Sequence, residues 1–207
     1  MARRIVFPAL RLIACAAFAQ QHANDPQAIF NKAVADFRSG RIAESAAGFD
    51  KVAKLAPDSA PQLWQRGIAL YYAGRYQDCR AQFESHRTVN PDDVENAAWH
   101  FLCVARAETP AKAKAALLPV GPDPRVPMRQ IYQMFKGEIR AEQMLASAGT
   151  TAEAQFYAHL YAGLYFEATG NRERARAEIT AAADRYTVGG YMHDVAIVHR
   201  DTFLRSK

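Results

Sequence analysis

No stretch of 18 or more uncharged apolar residues occurs in the 207-residue chain, which excludes a membrane-spanning helix. Three cysteines, at 15, 79 and 103, are too few for a disulfide framework, and their spacings match no zinc site. HExxH, a glycine-rich phosphate loop and a GxSxG elbow are all absent. The six histidines form no constellation: His193 and His199 stand six apart, on different faces of one predicted helix. These absences point to a non-catalytic protein with no metal and no cofactor. No acidic residue occurs in the first 24 positions, which hold three of the arginines behind a formal net charge of +5. The rest of the chain is close to balanced, so it offers no dense basic face for a nucleic acid.

Half of the residues are apolar and 23% are charged, a globular composition. Residues 1–24 read as a cleavable targeting segment. Arg3, Arg4 and Arg11 precede an apolar stretch from Leu12 to Ala19, and Ala17-Phe18-Ala19 before Gln20 fits a small-x-small cleavage site. The same residues admit three readings. One is a plain export signal. Another is a bacterial lipobox over Leu12-Ile13-Ala14-Cys15, with a lipid anchor on Cys15. The last is an organelle transit peptide.

Beyond the leader a repeat emerges. Gly40-Arg41 recurs as Gly74-Arg75, Phe49 as Phe83 and Pro57-Asp58 as Pro91-Asp92, all at an offset of 34 residues. Residues 26–59 and 60–93 thus form two units of one design. In each, an amphipathic segment ends at a glycine and a second ends before a Pro-Asp turn. Leu63, Trp64, Ile68, Leu70 and Tyr71 recur at steps of three and four, a helical period. Gly74 suits the left-handed stop of a helix, and Pro91 cannot continue one. Gly67 inside the predicted helix costs roughly 1 kcal/mol against Ala, which makes sense where a partner helix crosses too close for a side chain.

A third unit is expected over 151–185, where Gly163 and Gly170 are seven apart like Gly67 and Gly74. Between the units, over 94–150, the period is lost. There Asp92 or Asp93 can cap a helix over Val94–Ala107, with Trp99 in the core, as Tyr165 is in the third unit. Shorter helices are expected over Pro110–Leu117, Met128–Phe135 and Glu138–Ala146. The four prolines from Pro119 to Pro127 require an extended connection. A terminal helix over 190–205 closes a single all-α domain spanning 25–207.

Trp64, Gly67, Gly74, Tyr76, Phe83 and Pro91 in the second unit resemble the 34-residue pattern of the tetratricopeptide repeat (TPR) family. So do Ala33, Gly40, Ile42, Phe49 and Pro57 in the first. Over roughly 26–200 the chain is also similar to small bacterial envelope TPR proteins of the NlpI type, most tellingly in LWQRGIALYYAGRY (63–76) and in 156–179. Uncharacterised bacterial and plastid TPR proteins share a segment like Asp123-Pro124-Arg125 and Met128.

The resemblance implies a right-handed solenoid of helical hairpins with an irregular middle, whose first helices line a concave groove. Side chains pointing into it would be Phe30, Val34, Phe37, Trp64, Ile68, Tyr71, Tyr72, Tyr157 and Leu160, with Leu164 beside them. Such aromatic residues suit a partner peptide or helix; the alternative filling is the chain's own C-terminal helices. The implied function is that of a protein–protein interaction scaffold or adaptor, exported to the periplasm or cell envelope. NlpI-type proteins in this way bring proteases and cell-wall hydrolases together. The alternatives are a complex-assembly factor in an organelle lumen, and a hydrolase on a degenerate solenoid. The hydrolase would need a Ser, His or carboxylate cluster converging in one cleft. Cys79 and Cys103 read as small buried residues, with a disulfide open to them on export. Arg125, Arg129 and Arg140 read as ordinary surface, or as contacts for an acidic partner.

Overall fold

The computed structural model describes residues 24–203, and among these every regular element is a helix. Two hairpins come first: α1 (Pro26–Arg38) with α2 (Ile42–Leu55), then, after a 3₁₀ turn over Pro57–Gln62, α3 (Trp64–Tyr72) with α4 (Tyr76–His86). The long α5 (Val94–Ala107) packs on α4. The short α6 (Pro110–Ala115), α7 (Met128–Lys136) and α8 (Ala141–Ala146) follow. A third hairpin pairs α9 (Ala152–Ala168) with α10 (Arg172–Arg185). The chain closes with α11 (Gly190–Val198), continued by one π-helical turn over His199–Phe203.

Local chemistry sets these limits. Asp25, Asp93, Thr109, Thr151 and Asn171 each accept a hydrogen bond from a backbone N–H in the first turn of the helix that follows. Asp93 thus does cap α5, at 3.0 Å from the Glu95 N–H. The three hairpins turn on Gly40, Gly74 and Gly170, all with positive φ. After each, the next N–H reaches back five residues: Arg41 to Asp36 O, Arg75 to Leu70 O and Asn171 to Phe166 O. One helix-stop motif is therefore used three times.

The hairpins also cross closely in one way. A Cβ on Gly67 would lie 2.6 Å from the Phe83 ring, and one on Gly163 would lie 2.6 Å from Ile179, sixteen residues on in both cases. In the first hairpin the same approach is made by Gly48, where a Cβ would lie 2.8 Å from that of Ala33. Trp99 is buried between Tyr71 and Phe83, and Phe101 packs edge-on against Phe135. Tyr165, expected in the core, is half-buried against it. Cys79 and Cys103 are joined as a disulfide that ties α4 to α5.

In the middle, α8 starts three residues later than expected. Gly137 closes α7 in the left-handed conformation, and the Arg140 N–H donates to Gln143 Oε1, which makes Arg140 the cap. The proline-rich connection forms neither helix nor strand, and holds a cis peptide at Val126–Pro127. It is pinned by the Gly121 N–H to Pro91 O, Arg87 Nε to Pro119 O and Tyr132 OH to Leu118 O. Among the described residues no helix is long and apolar enough to cross a membrane. Residues 1–23, which hold nearly all of the expected targeting segment and Cys15, lie outside the described residues.

Candidate functional site

The chain leaves α10 and reverses at Gly189 and Gly190, both with positive φ, a pair of angles that glycine adopts without steric cost. The reversal lays α11 against α1 and the start of α3. Tyr191 stacks on Phe37, with centroids 5.1 Å apart, and meets Trp64 edge-on at 5.2 Å. Arg38 Nε pairs with Asp194 at 2.6 Å, and Tyr72 OH shares a 2.9 Å hydrogen bond with His199 Nδ1. The chain's own tail thus packs against side chains that a partner was expected to meet.

The expected site residues fall into two groups. Phe37, Ile68, Tyr71, Leu160 and Leu164 are fully buried, and Tyr72 is 9% exposed. Phe37 and Tyr72 are covered by the tail, through Tyr191 and His199, and Tyr71 by Tyr76 and Trp99, because burial removes apolar surface from water. In this conformation they present nothing to a partner. Phe30, Val34, Trp64 and Tyr157 keep part of their surface. Phe30 packs edge-on against Phe49 and borders a shallow hollow shared with Trp64.

A cavity of about 370 Å³ lies beside Trp64 and Tyr191. Trp64, Phe83, Trp99, Tyr157 and Tyr191 give it aromatic walls, and Asp93, Glu95, Asn96 and Arg125 give it a polar end. Asp93 and Glu95 come from the N-terminus of α5, and Arg125 from the proline-rich connection. Arg125 Nη1 donates to Glu95 Oε1 at 2.8 Å, Nη2 to Asp93 Oδ1 and to Asp123 Oδ2, each at 2.6 Å, and Nε to Asp123 Oδ1 at 3.0 Å. Tyr161 OH donates to the other Glu95 oxygen at 2.9 Å.

The electrostatics follow from one guanidinium shared among three carboxylates. Burial, with the neighbouring Asp93 charge behind it, pushes the Glu95 carboxyl up to about 7 against the pull of Arg125 and Tyr161. Burial also works on Asp123. There the bonds from the Arg125 side chain and from the Arg125 and Val94 backbone N–H groups win, and Asp123 is held below the usual carboxylate range. Two buried polar atoms on residues lining the cavity, Asn96 Oδ1 and Trp99 Nε1, have no hydrogen-bond partner.

The histidines serve internal contacts. His86 Nδ1 bonds Pro61 O at 2.8 Å, and His159 Nδ1 bonds Glu178 Oε2 at 2.7 Å. Among the described residues no group of three or more His, Cys, Asp and Glu side chains is arranged to hold a metal ion. Arg125 was singled out from sequence as surface or as a contact for an acidic partner. It lies at the surface, its side chain 43% exposed, and pairs with the chain's own acids. Glu95, Asn96 and Tyr191 were not foreseen. Their one signal was the clustering of Asp93 and Glu95 at a helix start, which reads as ordinary capping. Comparison with known proteins finds no family model that matches the chain, and no curated protein that matches it.

Proposed function

We propose that the chain is a non-catalytic protein–protein interaction scaffold, a TPR-like right-handed solenoid that docks a partner at this cavity. The repeated helix stop at Gly40, Gly74 and Gly170, and the close crossings at Gly67 and Gly163, support the repeat architecture. The observation that carries the docking role is that Trp64 and Tyr157, from the first helices of the second and third hairpins, face one cavity with part of their surfaces exposed. Aromatic side chains at the rim of a preformed pocket are the usual anchors of binding energy. The Cys79–Cys103 disulfide supports an oxidising compartment, the periplasm or cell envelope rather than a reducing cytosol. An organelle lumen, with an assembly role, meets the same condition.

The test is affinity capture with the tagged full chain and its Trp64→Ala and Tyr157→Ala variants, each checked by circular dichroism. Both folded variants should lose one and the same retained protein. Unchanged retention by both would end the docking reading.

Glu95 gives the hydrolase reading a specific observation, because a carboxyl pushed up to about 7 in a cleft, beside Asp93, has the profile of a general acid. Against it, both Glu95 oxygens are already bonded, to Arg125 and Tyr161. Hydrolysis of a cell-wall glycan or peptide by the purified chain, abolished in Glu95→Gln, would establish it over the scaffold.

A further inference from the structure

We infer that the cavity is a cation site, shaped for the ammonium or guanidinium head of a lysine or arginine side chain presented by the partner; the inference rests on the scaffold reading above.

Three features converge on that chemistry. The first is the walls. Trp64 and Tyr191 meet at 85°, so their rings form a corner rather than a flat stack, and Tyr157 and Trp99 complete the enclosure. Aromatic faces carry negative potential and attract a cation most strongly once water is excluded. The second is charge. Asp93, Glu95 and Asp123 share the single Arg125 guanidinium, whose Nε and both terminal nitrogens already donate to them. No free fork is left for an anion, and an anion would meet the surplus negative charge at close range. An incoming cation would instead neutralise that surplus. The other basic side chain on the lining, His86, is turned through Nδ1 to the Pro61 carbonyl.

The third feature is size. At about 370 Å³ the space is near the small end for ligand pockets, which suits one long side chain and not a helix. Lysine and arginine pair an apolar stem with a charged head, which matches aromatic walls ending in carboxylates. A neutral aliphatic side chain would fill the walls but leave the acidic end uncompensated.

Both tryptophans of the chain line this cavity, so intrinsic fluorescence reports its occupancy. The full chain is titrated at constant ionic strength with the N-acetyl methylamides of lysine, arginine, norleucine and glutamate, and with choline. The lysine or arginine probe should give a saturable change and bind about tenfold or more tightly than norleucine. The double variant Asp93→Asn/Glu95→Gln should weaken it by a similar factor. Asparagine caps a helix as well as aspartate does, and circular dichroism checks that the variant stays folded.

Norleucine binding as well as lysine, or glutamate binding best, would overturn the inference. Choline outbinding both basic probes would do so too, because it would assign the site to a small quaternary ammonium ligand. Silence from every basic probe, with partner capture still lost in Trp64→Ala, would sink the cation site and leave the scaffold standing. Failure of the scaffold reading shows earlier and separately, as capture that Trp64→Ala and Tyr157→Ala leave unchanged.

Discussion

Phe37 and Tyr72 lie covered by the chain's tail, whereas Trp64 and Tyr157 border open space. All four are aromatic and all four sit on the first helices of their hairpins. Residue type therefore does not decide which end is core and which is site. What decides is where the tail lands, and that is fixed by the reversal at Gly189 and Gly190. Tyr191 stands at the boundary, stacked on Phe37 on the sealed side and edge-on to Trp64 on the open side.

The largest expected effect breaks the sealed end. Phe37→Ala should cost about 3–5 kcal/mol, the range for truncating a fully buried aromatic residue. Trp64→Ala at the open end should cost well under half of that. The measurement is urea denaturation of both variants; equal losses would erase the distinction between the two ends.

Next in size is the bond beneath the open end. Cys79 and Cys103 enclose a loop with a sequence separation of 24, so loop-closure entropy puts the disulfide at roughly 3 kcal/mol. The double alanine variant should lose about that much stability, and the oxidised wild type should carry no free thiol at either position. Both thiols titrating freely in the unfolded, unreduced chain would refute the link.

Smaller again is Gly189→Ala. The φ of 69° and ψ of −179° at this residue belong to a region that L side chains avoid, so alanine should cost about 1–3 kcal/mol. The loss should fall on the seal. Amide exchange should speed up in α11 and around Tyr72 before it does in α9 or α10. Uniform acceleration across all helices would show that the tail is no separate layer.

Much of the helical layout was legible because its signals are local. Gly40, Gly74 and Gly170 mark stops that any helix must obey, and Gly67 marks a crossing too tight for a side chain. Asp93 and the prolines bounded α5 and the proline-rich connection. The division between groove and core was not legible, since Trp64 and Tyr72 share one helix and one apolar pattern whether the tail covers them or not. The polar end of the cavity was hidden for a different reason. Asp93 and Glu95 meet Arg125 across about thirty residues, through an irregular connection that no periodicity encodes.

The last effect belongs to the open end and concerns protons. With its carboxyl at about 7 when folded and 4.5 as its ordinary value, Glu95 binds a proton more readily in the folded chain. Its contribution to stability is then fully present below about pH 4.5 and lost as pH rises through 7, with a slope of at most about 1.4 kcal/mol per pH unit. Asp36, Asp50, Asp123 and Glu178 are shifted the other way, so their contributions fade only as pH falls below ordinary values of 3.8 for the aspartates and 4.5 for Glu178, beneath this window. Asp93, Arg125, Tyr157, Tyr161 and His86 share the surroundings of Glu95. Glu95→Gln isolates the Glu95 part, because it leaves every other titrating group in place. Denaturation midpoints followed across the window should therefore fall less steeply in Glu95→Gln than in wild type. A saturating lysine probe should flatten the wild-type curve in the same way, since a bound cation favours the ionised carboxylate. A wild-type slope untouched by both the substitution and the probe would mean that Glu95 titrates normally and that the open end carries no surplus charge to neutralise.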